Sequence, residues 1–502
     1  MIKFVIPILF VLFVFGCSNK PADDSTRSKL HFTTDSMALD NPVELIHFEH
    51  EYLLFYHCSE PELNEKTRAL CLAKSKDLIH WDTPNKVQFS KPADEIEVGS
   101  IIVDWENSSG YGNELPPFVA FYTADKNSTF HEDGIQKLYL SVSNDRGKNW
   151  IPKTDLTISL DNFYHPLSDL KVFWHEETQR WIMLVLTDHE VRIYSSGDLV
   201  NWQYESVFGE DVILKIGNWT TLDFFPIQTD SNEKRWVLFI SGDKGSPNEG
   251  SGIQYFIGDF DGYVFKSLTD KQRWLDNGTD LYAGITLSDY YRDGLPLYMI
   301  GKIDSQKDNG LKQSKNEEIS FSIPRQLFLN KKLEQYFLSS KPVNLNNVKG
   351  KELSPIKDKE IHGEVKLNRL SEFPLEINLS FNLNNRLYLD MAQVFGIRFT
   401  SKDGQELDIG YHTLRRYFFI INQHTIGDGS KELDSFNYMP YIIDRESMDI
   451  KIIMGEGSIE LFAVDGEVSI TKKWIGKNDW DEVVLFAEDG KITLNEFVAY
   501  HF

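Results

Sequence analysis

Cysteine is scarce in this chain, with three residues among 502. So low a content excludes a scaffold held together by many disulfides. Cys58 and Cys71 lie in segments that read as core strands, and no paired Cys/His spacing accompanies them. The sequence therefore predicts two buried free thiols, no metal site and no cofactor.

Basic residues are also in short supply. Lys and Arg total 52 against 76 Asp and Glu, which leaves a formal net charge of -24. A phosphate backbone would be repelled unless a basic face were segregated, and the sequence shows no Lys/Arg cluster of that kind. Nucleic acid is therefore excluded as a partner.

The one conspicuous apolar run covers residues 4–15 and is too short to span a bilayer as a stable anchor. Lys3 stands before this run, and a small residue followed by Cys17 ends it, which predicts a lipoprotein signal peptide over residues 1–17. Residues 18–29 would then form a polar tether. The expected location is the bacterial cell envelope at the outer membrane, with a lipid on Cys17 as the only membrane contact. The alternative is an ordinary secretory signal that happens to contain cysteine.

Strand-forming segments are abundant in this chain. Aromatic residues make up 13%, and apolar runs such as those over residues 52–56 and 180–186 recur between Asn, Asp and Gly turns. A chain of 502 residues is too long for one compact core. These features predict an all-β protein of two domains.

A turn motif of the form Ser-x-Asp, followed by Trp, occurs three times, over residues 75–81, 143–150 and 196–202. In each copy the Asp can accept hydrogen bonds from turn amides while the Trp packs on the strands. The copies are roughly 60 residues apart, about the length of one four-stranded sheet of a β-propeller. The sequence thus predicts a five-bladed propeller over residues 30–345, with these Trp residues packing within the blades.

The second part of the chain has a different pattern. Residues 346–360 are rich in Lys, Asn and Asp and predict a linker between domains. Alternating strands such as residues 375–381 and 459–464 follow, separated by Asp-Gly turns. The expectation for residues 361–502 is a C-terminal β-sandwich.

Nine segments of the chain carry a resemblance to one known family, those over residues 45–56, 75–81, 99–104, 107–110, 255–262, 282–283, 323–327, 458–462 and 465–466. In this order they resemble glycoside hydrolase family 32, the invertases, levanases, inulinases and other β-fructofuranosidases. The resemblance covers nearly all of the mature chain, and it implies the propeller and sandwich of that family.

The resemblance implies two catalytic carboxylates and a third that binds the fructosyl ring. At the nucleophile position of the motif W-M-N-D-P-N-G this chain has Asn41. The ring-binding carboxylate of R-D-P is kept as Asp169, with Ser168 in place of Arg. The acid/base of E-C-P is replaced by Thr220. If a residue is inserted after Asp40, that side chain would be a shifted nucleophile.

Further pocket positions also follow from the resemblance. His57 stands where the family has Gln, and Leu70 where it has Trp. The alternative for His57 is a core histidine with satisfied hydrogen bonds. The candidate substrate-binding residues are Ser100, His57, Ser168, Asp223 and Tyr282.

Loss of two carboxylates changes the expected function. An amide cannot form the covalent glycosyl intermediate, and a Thr hydroxyl is no acid near neutral pH. The sequence therefore predicts a catalytically impaired, glycan-binding lipoprotein of fructan-type carbohydrate utilisation. Two alternatives stay open: an active glycosidase of O-glycosyl bonds, of β-fructofuranosidase, levanase or altered specificity, that uses Asp40 or another carboxylate, and a structural or interaction module.

Overall fold

The structure is a computed structural model, and it describes sixteen stretches of the chain. These are residues 30–34, 37–59, 69–89, 96–124, 137–160, 167–187, 189–209, 217–268, 272–304, 319–367, 370, 373–384, 390–426, 430–455, 457–474 and 480–502. The predicted signal peptide, the tether and Cys17 lie outside the described residues. Within the stretches above, no helix is both long and apolar enough to cross a membrane.

The N-terminal part of the chain forms five antiparallel blades around one axis. Blade 1 holds β1 (Ala38–Phe48), β2 (Glu51–Ser59), β3 (Ala69–Ser75) and β4 (Asn85–Lys86); blade 2 holds β5 (Gln88–Phe89), β6 (Ile96–Val103), β7 (Phe118–Ala124), β8 (Lys137–Ser143) and β9 (Asn149–Ser159). Blade 3 holds β10 (Asp169–His175), β11 (Arg180–Leu186), β12 (Val191–Ser196) and β13 (Trp202–Phe208). Blade 4 holds β14 (Trp219–Gln228), β15 (Lys234–Gly242), β16 (Gly252–Phe260), β17 (Phe265–Ser267) and β18 (Arg273–Trp274). Blade 5 holds β19 (Leu281–Ser288), β20 (Tyr298–Ile303), β21 (Ser320–Phe321), β22 (Arg325–Lys332) and β23 (Gln335–Pro342).

The inner strands β1, β6, β10, β14 and β19 contact one another in order and form a closed ring. The ring closes where β1 pairs in parallel with β19, with Leu45 opposite Leu287. Because neighbouring blades cover both faces of an inner strand, these segments are apolar without strict alternation, as the buried β19 illustrates. The predicted five-bladed propeller is confirmed.

The repeated turn has the hydrogen bonds that its sequence suggests. Asp77 accepts a bond from the backbone N–H of His80 at 2.8 Å, and Trp81 Nε1 donates to Leu78 O at 3.0 Å. The matching indole bonds of the other copies run from Trp150 to Gly147 O at 2.9 Å and from Trp202 to Leu199 O at 3.0 Å. Each Trp thus fixes the end of a blade hairpin.

The cysteine prediction is wrong. Cys58 on β2 and Cys71 on β3 form a disulfide, with their Cα atoms 5.9 Å apart. In the antiparallel register Cys58 lies opposite Ala69, so Cys71 is its diagonal neighbour on the same face of the blade. The physical reason for the error is this register, which depends on how the intervening segment turns and which spacing in the sequence did not reveal.

The C-terminal part is the predicted β-sandwich, which is also confirmed. Its strands are β24 (Glu352–Leu367), β25 (Leu375–Asn382), β26 (Val394–Ser401), β27 (Gln405–His412), β28 (Tyr417–Thr425), β29 (Lys431–Pro440), β30 (Ser447–Met454), β31 (Ser458–Ala463), β32 (Val468–Lys473) and β33 (Trp480–His501), with a 3-10 turn over Val464–Gly466. The long β33 belongs to both layers, because its first part pairs with β26 and its last part with β25. β24 begins inside the segment predicted as a linker, and it follows β33 through both layers.

A buried ion-pair network joins the two domains. Arg325 on β22 donates to Asp276 at 2.9 Å within the propeller and to Glu460 on β31 of the sandwich at 3.1 Å. His31 lies 2.8 Å from the same Glu460 carboxylate. Although burial opposes ionisation, Arg325 and His31 together lower the pKa of Glu460. The charges are therefore matched across the interface, and they hold the sandwich against blade 5.

The substitution Arg325→Ala should lower the free energy of unfolding by about 3–5 kcal/mol, because it leaves the buried carboxylates of Asp276 and Glu460 without their partner. Guanidinium titration followed by circular dichroism measures the change. Arg445→Ala is the matched control, since Arg445 also bridges two carboxylates but with its side chain 40% exposed. Equal effects of the two substitutions would contradict the interface account.

Candidate functional site

One mouth of the propeller axis opens into a cavity of about 520 Å³. It lies where the five inner strands begin, so each of these strands contributes its first residues to the wall. Eight of the residues singled out from the sequence line it: Asp40, Asn41, His57, Ser168, Asp169, Thr220, Asp223 and Tyr282. Ser100 is fully buried just below the wall. The propeller therefore brings together segments that are far apart in the chain.

Consecutive residues of β1 reach this cavity because the strand is irregular there. The pairing of β1 with β2 shifts between Leu39 and Pro42 and again between Pro42 and Glu44. In a regular strand Asp40 and Asn41 would point to opposite faces, but a bulge re-aims one of them. Both side chains line the cavity and both are half-buried.

Asp40 does not stand alone in the wall. Its carboxylate accepts a hydrogen bond from Lys302 Nζ on β20 at 2.9 Å. Burial opposes the charge of Lys302, but Tyr282, Asp40 and Asp304 nevertheless raise its pKa. The ammonium also lies 5.4 Å from the centre of the Tyr282 ring. Lys302 therefore orients the Asp40 carboxyl group at the cavity surface.

Asp169 stands at the first position of β10. Its two carboxylate oxygens accept backbone N–H bonds from Leu170 at 2.8 Å and from Leu222 at 2.9 Å. Burial raises the pKa of Asp169 to about 8, and the nearby charge of Glu97 contributes to the rise. The raised pKa favours the protonated form, in which Asp169 can donate as well as accept a hydrogen bond.

The β14 segment supplies hydroxyl groups where the family resemblance implies an acid. Thr220 donates to the backbone carbonyl of Ser241 at 3.1 Å. Thr221 Oγ1 is buried, and no residue that the structure describes gives it a hydrogen-bond partner. Blade 4 also brings the ionisable Asp243 to the wall, where it accepts bonds from Asn218. Thr220 itself offers no group that ionises near neutral pH.

A buried charge group lies at the floor of the cavity. Lys171 Nζ contacts Glu44 at 2.6 Å and Asp223 at 3.0 Å, and so links strands β1, β10 and β14. Ser288 donates to Glu44 at 2.5 Å, while Ser100 accepts the N–H of Val172 at 3.1 Å. Burial raises the pKa of Glu44 to about 7, and the nearby charge of Asp223 adds to the rise.

Two of the predicted substrate-binding residues, Asp223 and Ser100, are buried in this floor. Asp223 is 0% exposed, and its Oδ2 also accepts the N–H and the hydroxyl of Thr286 at 2.6 and 2.7 Å. Ser100 is likewise 0% exposed. Both therefore support the cavity from below. His57, at 6% exposure, and Tyr282, at 5%, present only small parts of their side chains to the cavity.

Five charged residues of this site were not predicted from the sequence. Glu44 and Lys171 lie close to family-like motifs, and each follows a candidate residue by two or three positions. Glu97, Asp243 and Lys302 reach the wall from blades 2, 4 and 5. An unexpected charge inside an apolar inner-strand segment is the signal that could have found Glu44, Glu97 and Lys171. Asp243 and Lys302 lie outside the inner strands. Within the described part of the chain, no group of three His, Cys, Asp or Glu could hold a metal ion.

Comparison with known proteins identifies the family. The profile described as glycosyl hydrolases family 32 N-terminal domain matches residues 31–342, and the profile described as glycosyl hydrolases family 32 C terminal matches residues 339–501. The chain therefore belongs to glycosyl hydrolase family 32, a family of fructan- and sucrose-type hydrolases.

Individual relatives agree with this assignment. A levanase of Bacillus subtilis (strain 168) is 27% identical over 100% of this chain and 74% of its own length. A levanbiose-producing levanase of the same organism is 24% identical over 98% of this chain and 95% of its own. The crystal structure of exo-inulinase from Aspergillus awamori has a TM-score of 0.81 at 22% identity, covering 95% of this chain and 98% of that one. This structural likeness shows the shared propeller and sandwich.

The substitution Glu44→Gln should flatten the pH dependence of stability. In the unfolded chain Glu44 loses its proton near the ordinary glutamate pKa of 4.5, whereas in the folded protein its pKa is about 7. Its contribution is therefore fully present below 4.5 and is lost as pH rises through 7. Melting midpoints measured from pH 4 to 8 should fall less in Glu44→Gln than in the wild type. The exposed Glu334→Gln is the control and should follow the wild type; parallel curves for all three proteins would refute the assignment.

Proposed function

We propose that this protein binds fructan-type glycans in the axial cavity and hydrolyses them poorly or not at all. The observation that carries the proposal is the placement of Asn41 and Thr220 beside Asp169 in one cavity. Two of the three positions that the family uses for chemistry thus hold an amide and a hydroxyl. The third keeps its carboxyl group and its fixed geometry.

The loss of chemistry follows from what these groups can do. A retaining glycosidase needs a carboxylate that attacks the anomeric carbon and an acid that protonates the leaving oxygen. Asn41 has no charge with which to attack, and the Thr220 hydroxyl is held against the Ser241 carbonyl. General acid catalysis alone usually contributes about 10²–10⁴ in rate, so loss of both functions should leave little turnover.

The retained groups suit recognition of neutral sugars. The protonated Asp169 can donate to one hydroxyl and accept from another, as a buried polar group that fixes the orientation of a ligand does. Asp40, Glu97 and Asp243 line the same cavity against the ammonium of Lys302. The wall therefore carries a surplus of carboxylates, which disfavours phosphorylated or otherwise anionic sugars.

The glycan class is supported by the relatives. The curated relatives include levanases and exo-inulinases, and one solved neighbour, a fructan 1-exohydrolase of Cichorium intybus, is described in complex with 1-kestose. A fructofuranosidase of Schwanniomyces occidentalis is described in complex with fructose. We extend the fructan class to this chain as part of the proposal.

A second candidate function is favoured by the bulge in β1. Because Asp40 reaches the cavity, it is a possible shifted nucleophile, and the protonated Asp169 would then be the acid available in the same space. This active-glycosidase alternative predicts hydrolysis that depends on Asp40. A structural or interaction module predicts neither hydrolysis nor sugar binding.

The test measures hydrolysis and binding on the same preparation. Sucrose, levan and inulin serve as substrates, and levan-derived oligosaccharides serve as ligands in calorimetric titration. We expect binding that Asp169→Ala abolishes, and hydrolysis at least about a thousandfold below an active family member. Asp259→Ala, a substitution of an exposed aspartate on blade 4, is the control for binding and should leave it unchanged.

Two variants separate the alternatives. Hydrolysis by the wild type that Asp40→Asn abolishes would overturn the proposal in favour of a shifted nucleophile. Absence of both hydrolysis and binding would favour the interaction module. The double variant Asn41→Asp with Thr220→Glu should gain weak turnover. Full recovery is not expected, because Ser168 and His57 replace the Arg and Gln of the family.

We also propose that the chain is a lipoprotein anchored through Cys17. The signal-like N-terminus supports this location, and so does the disulfide of Cys58 and Cys71, because such bonds persist in oxidising compartments. Metabolic labelling with a fatty acid should mark the wild type and leave Cys17→Ala unmarked. Equal labelling of both would remove the lipid anchor, and the glycan-binding proposal would be unaffected.

A further inference from the structure

The opposite mouth of the propeller axis holds a second cavity, of about 250 Å³. It lies beyond the ends of β6, β10 and β19, whereas the first cavity lies at their beginnings. Four aromatic residues form part of its wall, among charged and polar side chains: Trp105, Trp174, Trp181 and Tyr291. Neither the family chemistry nor the proposed function uses these residues.

The two cavities are separate. Between them the axis narrows to a space of about 50 Å³, lined by Lys171, Phe225 and Thr286 among others. This space is far smaller than the roughly 300 Å³ at the lower end of small-molecule sites. It does not hold a sugar unit, so a ligand at the second mouth would enter from the opposite face of the propeller.

Hydrogen bonds fix two of the rings in orientation. Trp181 Nε1 donates to Ser108 Oγ at 2.8 Å, and Trp105 Nε1 donates to Asp289 Oδ2 at 2.9 Å. Trp174 packs edge-to-face on Trp181, with ring centres 5.1 Å apart. These rings form a prearranged apolar wall, and a ligand would not have to order them.

Tyr291 completes the cavity from the solvent side. Its side chain is 41% exposed, although burial of a large aromatic is the usual outcome in a folded domain. It follows Asp289, whose carboxylate lies within the cavity lining, and the Tyr291 hydroxyl approaches that carboxylate at 3.4 Å. An exposed ring beside a fixed acceptor offers both an apolar face and a hydrogen-bond partner.

The charges of this mouth decide which ligand chemistry fits. Glu106, Glu176 and Asp289 line the cavity against the guanidinium of Arg292, so an anionic ligand is disfavoured. A cationic ligand would need an open aromatic face, but Arg292 already lies over the Trp105 ring at 4.6 Å and 4.0 Å from Glu106. The guanidinium of Arg292 therefore already occupies the face of Trp105 that a cationic ligand would contact.

We propose that this second mouth is a binding site for a neutral carbohydrate, sized for a single sugar unit. The exposed ring of Tyr291 and the half-buried ring of Trp174 can pack against the C–H face of a sugar, and the surrounding carboxylate and guanidinium groups can pair with its hydroxyls. The volume is close to the lower end of the roughly 300–1,000 Å³ of small-molecule sites, which fits one unit of a chain. The protein would then hold glycan at both ends of one axis, by an interaction that does not depend on the catalytic positions.

The test uses the protein with its first cavity disabled by Asp169→Ala. Fructose, glucose, galactose and sucrose are the neutral probes, and tetramethylammonium and inorganic phosphate are the charged ones. Binding is followed by tryptophan fluorescence and by saturation-transfer NMR. We expect at least one neutral sugar to bind, and we expect Tyr291→Ala in this background to weaken that binding about tenfold or more.

Tyr263→Ala is the matched control, because Tyr263 is 39% exposed, lies in the β16–β17 turn of blade 4 and belongs to the lining of neither cavity. It should leave the residual binding unchanged. A second variant, Glu176→Gln, alters an exposed cavity residue and should weaken binding while the melting temperature stays the same. Binding of a charged probe alone, no binding of any probe, or equal effects of Tyr291→Ala and Tyr263→Ala would overturn the proposal.

Discussion

The axial site depends on the buried ammonium of Lys171. This single positive charge holds Glu44 from blade 1 and Asp223 from blade 4 against its own strand in blade 3. Without it, two carboxylates would lie uncompensated in a dry interior, which is strongly destabilising. Because the same residues form the floor of the cavity, the folding of the propeller and the shape of the site rest on one interaction.

The floor of the cavity is constrained by buried charge pairing, whereas its wall consists of half-buried polar groups. Lys171, Glu44 and Asp223 are buried and mutually bonded, so a change in any of them disturbs a balanced charge group. Asn41 and Thr220 are half-buried at the surface of the cavity, where a polar group of similar size fits with little strain. Groups at the wall can therefore differ between members of the fold while the floor keeps the geometry that presents Asp169. The order of the floor does not depend on which side chains stand at the wall.

Much of the fold was predictable because short stretches of sequence indicate it. The turn motif that ends in Trp81, Trp150 and Trp202 marks blade hairpins, and alternating strands mark the sandwich. The disulfide and the pairing of Asp40 with Lys302 were not predictable, since each depends on the register or position of strands from different parts of the chain. The grouping of the aromatic residues at the second mouth was likewise not predictable from the sequence. They come from three blades, and only the closed ring brings them together.

The parallel pairing of β1 with β19 carries a consequence for how the molecule forms. Leu45 finds Leu287 only after the segments for all five blades exist, so the last contact of the ring is among the most distant in sequence. Loop-closure entropy makes such contacts late and slow. During synthesis β1 would lack its partner β19 until blade 5 emerged. The ring would therefore stay open for longer than a fold built from neighbouring contacts, and the early blades would have to persist without the closing strand pair.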